Sequence, residues 1–195
     1  MAGIALHITG DPEADSFLSE DPLALIIGML LDQQVTMEKA FSSPAELTRR
    51  LGGPLDAAAI AAMPLERLTE LFKERPALHR YPGSMAGRVQ ELCRVIAEDY
   101  GGQADAIWRD VKSGEELVKR LNSLPGFGER KAKIFAALLG KQLGVHPEGW
   151  REATKPYGEP GSFLSVADIT EPAALEKVRA NKRAIKAQAK AHSKA

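Results

Sequence analysis

The chain has 195 residues, with 26 basic and 26 acidic side chains, 44% hydrophobic residues and a single cysteine, Cys93. This length and balance are typical of one folded domain, alone or with a small second lobe, and exclude an extensively disordered chain. One thiol excludes an intrachain disulfide and a four-cysteine iron–sulfur cluster, and we expect no metal or other cofactor. No apolar run approaches the ~20 residues that span a bilayer, and no secretory signal is visible at the amino terminus. We therefore expect a cytoplasmic protein that has no membrane partner.

The formal net charge of zero conceals an uneven distribution. From Lys177 to the last residue there are seven basic residues and no acidic one, which leaves 19 basic and 26 acidic residues in the rest of the chain. A basic tail on an acidic body can bind a polyanion, because each neutralised phosphate releases condensed counterions. The same pattern is typical of a solvated Ala/Lys helix end, so both interpretations stay open.

The spacing of the apolar residues predicts an all-α chain. Asp21 and Pro22 resemble an N-cap followed by proline at the first helical position, and helical spacing then continues to Leu31. Further helices are predicted over 35–51, 55–62, 65–72, 85–100, 114–121 and 128–143, and a last one from Glu171-Pro172. The start of the 114–121 helix has the spacing of a capping box, Ser113 to Glu116. Residues 77–84 and 156–161 are predicted to be turns, and only residues 3–8 suggest a strand.

The most specific motif is the sequence LPGFG at 124–128, which joins two amphipathic helices. Pro125 ends the first helix, Gly126 and Gly128 permit backbone angles and close approaches denied to other residues, and Phe127 can fill the gap between the helices. Free N–H groups and the dipole at the start of the second helix favour an anion. The cations that follow are Arg130, Lys131 and Lys133. This pattern predicts a site for a DNA phosphate, held without reading base sequence. An ordinary tight connection between helices is the alternative.

The hairpin sequence from Leu124 to Ala132 resembles that of the helix-hairpin-helix base-excision DNA glycosylases, the HhH-GPD superfamily of endonuclease III. Residues 30–36 (LLDQQVT) are similar to the family's L-S-x-Q segment, and residues 81–88 resemble the turn and helix start that follow it in the family. The resemblance covers about residues 20–155 and suggests a small, cluster-free bacterial member.

The resemblance implies an all-α fold with two lobes and a DNA-binding cleft between them. A six-helix core lobe is expected over residues 20–145, with the helix-hairpin-helix at 114–140. Residues 1–19 and 146–195, which include the basic tail, are expected to form the second lobe.

The resemblance implies that the protein removes a damaged or mispaired base from double-stranded DNA. It is expected to act as a monomer at the nucleoid. Such a base must leave the duplex before its N-glycosidic bond can be reached, and a side chain has to fill the vacated stack. Gln34 corresponds to the family's inserting polar residue, and Gln33 is its neighbour. On spacing alone, the two glutamines are equally typical of a helix cap or a solvated loop.

The chemistry requires a carboxylate near the anomeric carbon, where positive charge develops during cleavage. By analogy with the family, whose aspartate follows the hairpin by about two dozen residues at the head of the next helix, Glu148 occupies this position. Pro147 is then predicted to be the first residue of that helix. The family's V-D-[TH] string is absent here, and an acidic residue in a first turn is also explained by the helix dipole. Lesser candidates are Asp32, which replaces the family's usual serine, and His146, Glu152 and Asp168.

Arg130 stands where lyase-competent members carry a nucleophilic lysine. Arginine stays protonated and cannot form a Schiff base, so hydrolysis without strand cleavage is expected. Lys131 should face elsewhere, and Lys131 and Lys133 are assigned to phosphate or solvent. Trp108 and Trp150 are expected to pack in the interior rather than stack a flipped base. Two other functions stay open: a non-catalytic DNA-binding member that recognises distorted DNA, and a helical protein-interaction domain.

Overall fold

The computed structural model describes residues 5–194, and these fold into eleven α-helices and one short 3₁₀ turn. The helices are α1 (Pro12–Glu20), α2 (Pro22–Leu31), α3 (Met37–Leu51), α4 (Ala57–Ala62), α5 (Leu65–Lys73), α6 (Pro82–Asp99), α7 (Ala106–Arg109), α8 (Gly114–Asn122), α9 (Glu129–Leu143), α10 (Trp150–Ala153) and α11 (Pro172–His192), and the 3₁₀ turn is Val166–Asp168. No strand occurs among the described residues, so the all-α prediction is confirmed. The suggested strand at 3–8 is absent over residues 5–8, and its first two residues lie outside the described part.

Side-chain caps explain why several helices begin where they do. Asp21 accepts hydrogen bonds from the amides of Leu23 and Ala24, which confirms the predicted start of α2. At α8, the Ser113 hydroxyl accepts from the amide of Glu116 at 3.1 Å. Only this half of the predicted capping box forms, because the Glu116 carboxylate instead accepts from the amide of Lys112.

The structure differs from the predicted elements in three places. Helices α1 and α7 were not predicted, and α6 begins at Pro82, inside the predicted turn 77–84. The helix start predicted at Pro147 is wrong, since α10 begins only at Trp150. Glu148 instead pairs in an extended bridge, donating to the carbonyl of Lys112 at 3.1 Å and accepting from the amide of Gly114 at 2.8 Å. These two bonds satisfy its backbone without a helix.

Helix α2 lies at the centre of the core, since all its residues from Leu23 to Leu31 are buried. Its neighbour α3 packs closely on it: a methyl group added at Gly28 would come within 2.6 Å of the Phe41 ring. The buried guanidinium of Arg50 on α3 donates to the carbonyls of Leu71, Glu74 and Pro76. It thereby satisfies the end of α5 and fixes α5 to α3.

The helices pack in two groups that follow chain order. Helices α1–α6 pack on one another, and α7–α10 pack with the 3₁₀ turn, against which α11 rests. The turn between α8 and α9 contacts the carboxyl end of α2, because Gly126 lies against Leu30. The end of α2 therefore lies against the turn that precedes α9, and we call this junction the cleft, after the DNA-binding cleft that the family resemblance implies. The lobe boundaries implied by the resemblance stay a prediction.

Candidate nucleic-acid interface

The turn between α8 and α9 is held tightly on its inner side. Gly126 has φ +80°, a left-handed conformation, and a methyl group there would lie 3.0 Å from Cδ1 of Leu30. Phe127 is buried and meets Phe135 edge-on, with ring centroids 6.2 Å apart. Both Gly126 and Phe127 therefore act as predicted, as a permissive turn residue and as a plug between the helices.

The outer side of the same turn is open. Gly128 precedes α9 with no side-chain cap, and no described residue accepts a hydrogen bond from the amides of residues 128–131. Gly128 is exposed and a methyl group there would meet no atom within 4 Å. Its φ of −114° is one that any residue adopts, so a glycine is not needed here for its backbone angle. Its contribution is that the lack of a side chain leaves the adjacent amides open to a ligand. Unsatisfied amides at a helix start form an anion site.

A half-buried carboxyl, that of Asp32, lies near this turn. Asp32 is the C-cap of α2, two residues after Leu30, and the Lys131 Nζ donates to the Leu30 carbonyl at 3.0 Å. Burial raises the pKa of the Asp32 carboxyl, and the nearby charges of Lys182 and Lys131 oppose that rise. Burial lowers the pKa of Lys131 to about 8, against the attraction of Asp32. Lys131 therefore turns toward the end of α2 rather than to solvent, whereas its predicted contact with phosphate stays a prediction.

The two glutamines after α2 have different surroundings. Gln33 is held in place: its amide nitrogen donates to the Leu30 carbonyl at 2.9 Å, and its amide oxygen accepts from Arg88 at 2.9 Å. Gln34 is exposed, and no described residue forms a hydrogen bond with its side chain. With φ 57°, it is the only non-glycine residue of the described chain with positive φ. Such a conformation costs free energy and persists only where its surroundings impose it.

His79 imposes much of this loop geometry. Its Nε2 lies 3.1 Å from the carbonyl of Leu31 and 2.9 Å from that of Gln33. Its Nδ1 accepts from the amide of Tyr81 at 3.0 Å, so the neutral ring donates from Nε2. Burial lowers the pKa of His79, which favours that neutral form. The buried imidazole thus joins the end of α2 to the start of α6.

A family model described as "HhH-GPD superfamily base excision DNA repair protein" matches residues 27–182. The match begins in α2, ends in α11, and contains the glutamine loop, the hairpin and the 3₁₀ turn. The chain belongs to the HhH-GPD superfamily. A search of curated proteins finds no match. Membership makes this a base-excision DNA repair protein and DNA its binding partner.

Glu148, to which the resemblance assigns the position of the family's aspartate, does not lie with the HhH-GPD hairpin turn. It follows His146, whose Nε2 contacts the carbonyl of Gly140, and precedes Trp150, whose ring covers Gly140. Gly140 is nine residues beyond Lys131 along α9, a rise of about 14 Å. The side chain of Glu148 is exposed at the far end of that helix. Its catalytic role stays a prediction.

The remaining candidates have structural contacts of their own. Asp168 is buried, forms an ion pair with Lys141 and accepts from the amide of Leu164 at 2.7 Å. Glu152 is exposed and pairs with Lys155 at 2.8 Å. The ring of His146 stacks on Trp150, with centroids 5.2 Å apart. At the hairpin, Arg130 is exposed, whereas Lys133 pairs with Glu129 at 3.1 Å. Trp108 and Trp150 are both buried, as predicted.

Four residues of this region were not candidates from the sequence: His79, Arg88, Arg179 and Lys182. Arg179 of α11 forms an ion pair with Glu38 in the first turn of α3, and this contact brings Lys182 near Asp32. His79 and Arg88 lie in or beside the segment 81–88 that carries part of the family resemblance, which was the available signal. Nothing in the pattern of α11 indicated that it reaches α3.

Among residues 5–194 no three His, Cys, Asp or Glu side chains are arranged to hold a metal ion. Burial raises the pKa of the Cys93 thiol to about 12, which suits a packing role. None of the described helices is long and apolar enough to cross a membrane.

Proposed function

We propose that this HhH-GPD protein is a monofunctional DNA glycosylase that hydrolyses the N-glycosidic bond of a damaged or mispaired base in duplex DNA, acting as a monomer. The observation that carries the proposal is that the open amides at 128–131 begin the helix whose Lys131 reaches the end of α2, where the half-buried carboxyl of Asp32 lies. An anion site next to a carboxylate is what this reaction requires.

Each element of the cleft has a part in the proposed reaction. The amides at the start of α9 bind a backbone phosphate beside the target nucleotide. Gln34, exposed and held at positive φ, enters the stack in place of the extruded base. Gln33 and Arg88 hold the loop that presents it.

The carboxylate stabilises the positive charge that develops on the sugar as the bond to the base breaks. The bonding electrons leave with the base, a water oxygen bonds to the anomeric carbon, and a proton passes to the departing base. Asp32 suits this role because it is half-buried and belongs to the segment that Lys131 of the anion site contacts, and a carboxylate acts more strongly where water is partly excluded. Glu148 is the competing candidate by chain position.

Strand cleavage is not part of the proposal. Arg130 remains charged and exposed, so it cannot be the amine nucleophile of a lyase. Lys131, whose pKa is lowered to about 8, is bound to the Leu30 carbonyl and turned toward Asp32. Breaks that form without alkali and disappear in a Lys131→Met variant would show that Lys131 is a nucleophile and would contradict this part of the proposal.

The proposal is tested with duplexes that carry uracil, hypoxanthine, an oxidised purine, an alkylated purine or a mismatch. Abasic sites are measured before and after hot alkali for the wild type, Asp32→Asn and Glu148→Gln. We expect base release from at least one duplex, strand breaks only after alkali, and a loss of about 10²-fold or more in Asp32→Asn. Glu148→Gln should stay near wild type, and the reverse ranking would assign the reaction to Glu148.

The alternative is a non-catalytic protein that binds distorted DNA. The partial burial of the Asp32 carboxyl near the charges of Lys131 and Lys182 favours this alternative, since a sugar must reach that carboxyl for catalysis. Tight binding to mismatched or abasic duplexes without base release from any of them would support this alternative and overturn the glycosylase.

A further inference from the structure

Five of the six Lys and Arg residues of α11 lie on one face of the helix. Within an arc of about 100° fall Arg179, Lys182, Arg183, Lys186 and Lys190. We call these five residues the basic stripe. Lys177 lies on the other side, with its Nζ 4.9 Å from the centre of the Phe163 ring. The opposite face carries Ala184 and Gln188, both exposed and uncharged. If these basic residues only contacted solvent, they would have no need to share one face of the helix.

The first half of α11 fixes the direction in which this stripe points. Val178 and Ala174 are buried, and Asn181 donates to the carbonyl of Phe163 at 2.8 Å. Arg179 pairs with Glu38, and the charge of Lys182 acts on Asp32, so the stripe begins at the cleft. Beyond Lys182 every described residue of α11 is exposed. The outer half of α11 is therefore an unpacked helix, and the basic stripe runs along it from residues that lie beside the cleft.

The chemistry of the outer half indicates its partner. Apart from Ile185 it offers small or polar side chains to solvent, whereas protein interfaces depend on buried aromatic and apolar anchors. The stripe is cationic on a chain whose first 176 residues carry a formal charge of −7, from 19 basic and 26 acidic side chains. From Arg179 to Lys190 it rises about 16 Å, the length of about five base pairs.

We infer that the basic stripe binds the phosphate backbone of duplex DNA on one side of the nucleotide held in the cleft. This inference rests on the proposed function, because the cleft gives the stripe its starting point. Arg179 and Arg183 are partly neutralised by Glu176 within the same helix. Lys186 and Lys190 have no described ion pair and therefore carry the outer contact.

The test compares three proteins. For each one, the affinity for an undamaged duplex of two helical turns is measured at several salt concentrations. A neutralised variant carries Lys186→Ala and Lys190→Ala. A relocated variant adds Ala184→Lys and Gln188→Lys, which restores the charge on the opposite face. Each lost phosphate contact should reduce the slope of log affinity against log salt by about 0.9. Both variants should therefore lose about 1.8 from the wild-type slope.

Other results would overturn the stripe. Equal slopes for all three proteins would show that α11 does not touch DNA, and a wild-type slope in the relocated variant would show that charge alone, without a face, attracts DNA. A wild type that binds no duplex at low salt would reject the proposed function as well. Binding that weakens in Gly128→Ala, with equal slopes among the three proteins, would reject the stripe alone.

Discussion

At the scale of single residues, position along the chain is a poor guide to what a side chain does. Gln33 and Gln34 are neighbours of the same type, yet Gln33 is bound to Leu30 and Arg88 whereas Gln34 extends to solvent from a left-handed backbone. Lys131 and Arg130 are also neighbours, and only Lys131 enters the cleft. In each pair a turn of about 100° or a change of φ separates a structural role from an exposed one.

The half-buried amine of Lys131 predicts a pH dependence of folding. Its pKa falls from an ordinary 10.5 in the unfolded chain to about 8 in the folded one, so the unfolded state binds more protons between these values and stability rises with pH. The cost in folding free energy of burying the protonated Lys131 amine is fully present below pH 8 and absent above pH 10.5. The Lys131→Met variant lacks this amine. Its free energy of unfolding should therefore not show this rise between pH 8 and pH 10.5.

The measurement is denaturant unfolding of both proteins at intervals from pH 7 to pH 10.5. The difference between wild type and variant isolates Lys131, because the other groups titrate in both proteins. The wild type should gain stability relative to the variant as pH rises through this window. If the difference in free energy of unfolding between the two proteins does not change with pH, the Lys131 amine is solvated in the folded protein and the prediction is wrong.

At the scale of elements, the turn between α8 and α9 has an inner glycine and an outer glycine with separate purposes. Gly126 is needed for its left-handed angle and its contact with Leu30, whereas Gly128 has an ordinary angle and open space around it. Gly126, the inner glycine, is therefore required for folding. Gly128, the outer glycine, keeps the first amides of α9 accessible.

These differences predict opposite effects of one methyl group. Gly126→Ala should destabilise the protein by about 1–2 kcal/mol, from the left-handed angle and the contact with Leu30. Gly128→Ala should change stability by less than about 1 kcal/mol but weaken DNA binding, because the methyl group projects into the open approach to the amides. Urea unfolding and low-salt affinity for a duplex are measured on both. A Gly128→Ala protein with wild-type affinity would show that no phosphate binds there.

At the scale of the whole molecule, α11 connects distant parts of the chain. It follows the 3₁₀ turn, reaches α3 through Arg179 and Glu38, and brings Lys182 to Asp32. The 3₁₀ turn at its base is fixed to α9 by the buried pair Lys141–Asp168, whose side chains are 10% and 2% exposed. Asp168 also accepts from the amides of Leu164 and Ser165. This buried pair therefore helps to set where the basic helix begins.

Breaking this pair should be costly. Lys141→Met leaves the Asp168 carboxylate buried without its cation and should lower the free energy of unfolding by about 3 kcal/mol. Lys155→Met breaks the exposed pair with Glu152 and should cost less than about 1 kcal/mol. Thermal or urea unfolding of the two variants gives the comparison. Similar losses in both would mean that burial adds nothing to the Lys141–Asp168 pair.

The sequence by itself determined the all-α class, the family and the hairpin. Those depend on local signals: the capping aspartate before α2, helical spacing in α2, α6 and α9, and the glycines of the turn. The short helix α7 escaped prediction because four residues give no periodicity. The predicted helix at Pro147 failed because a bridge to Lys112 and Gly114, distant in sequence, satisfied its backbone instead.

Only the tertiary structure decided which candidate residues lie together. It brings Asp32, Lys131, His79 and Lys182 to one cleft from four separate segments, and leaves Glu148 at the other end of α9. Such meetings depend on helix packing and on where loops return, which one-dimensional spacing does not encode. Periodicity predicts the face on which a side chain lies, whereas packing selects its neighbours.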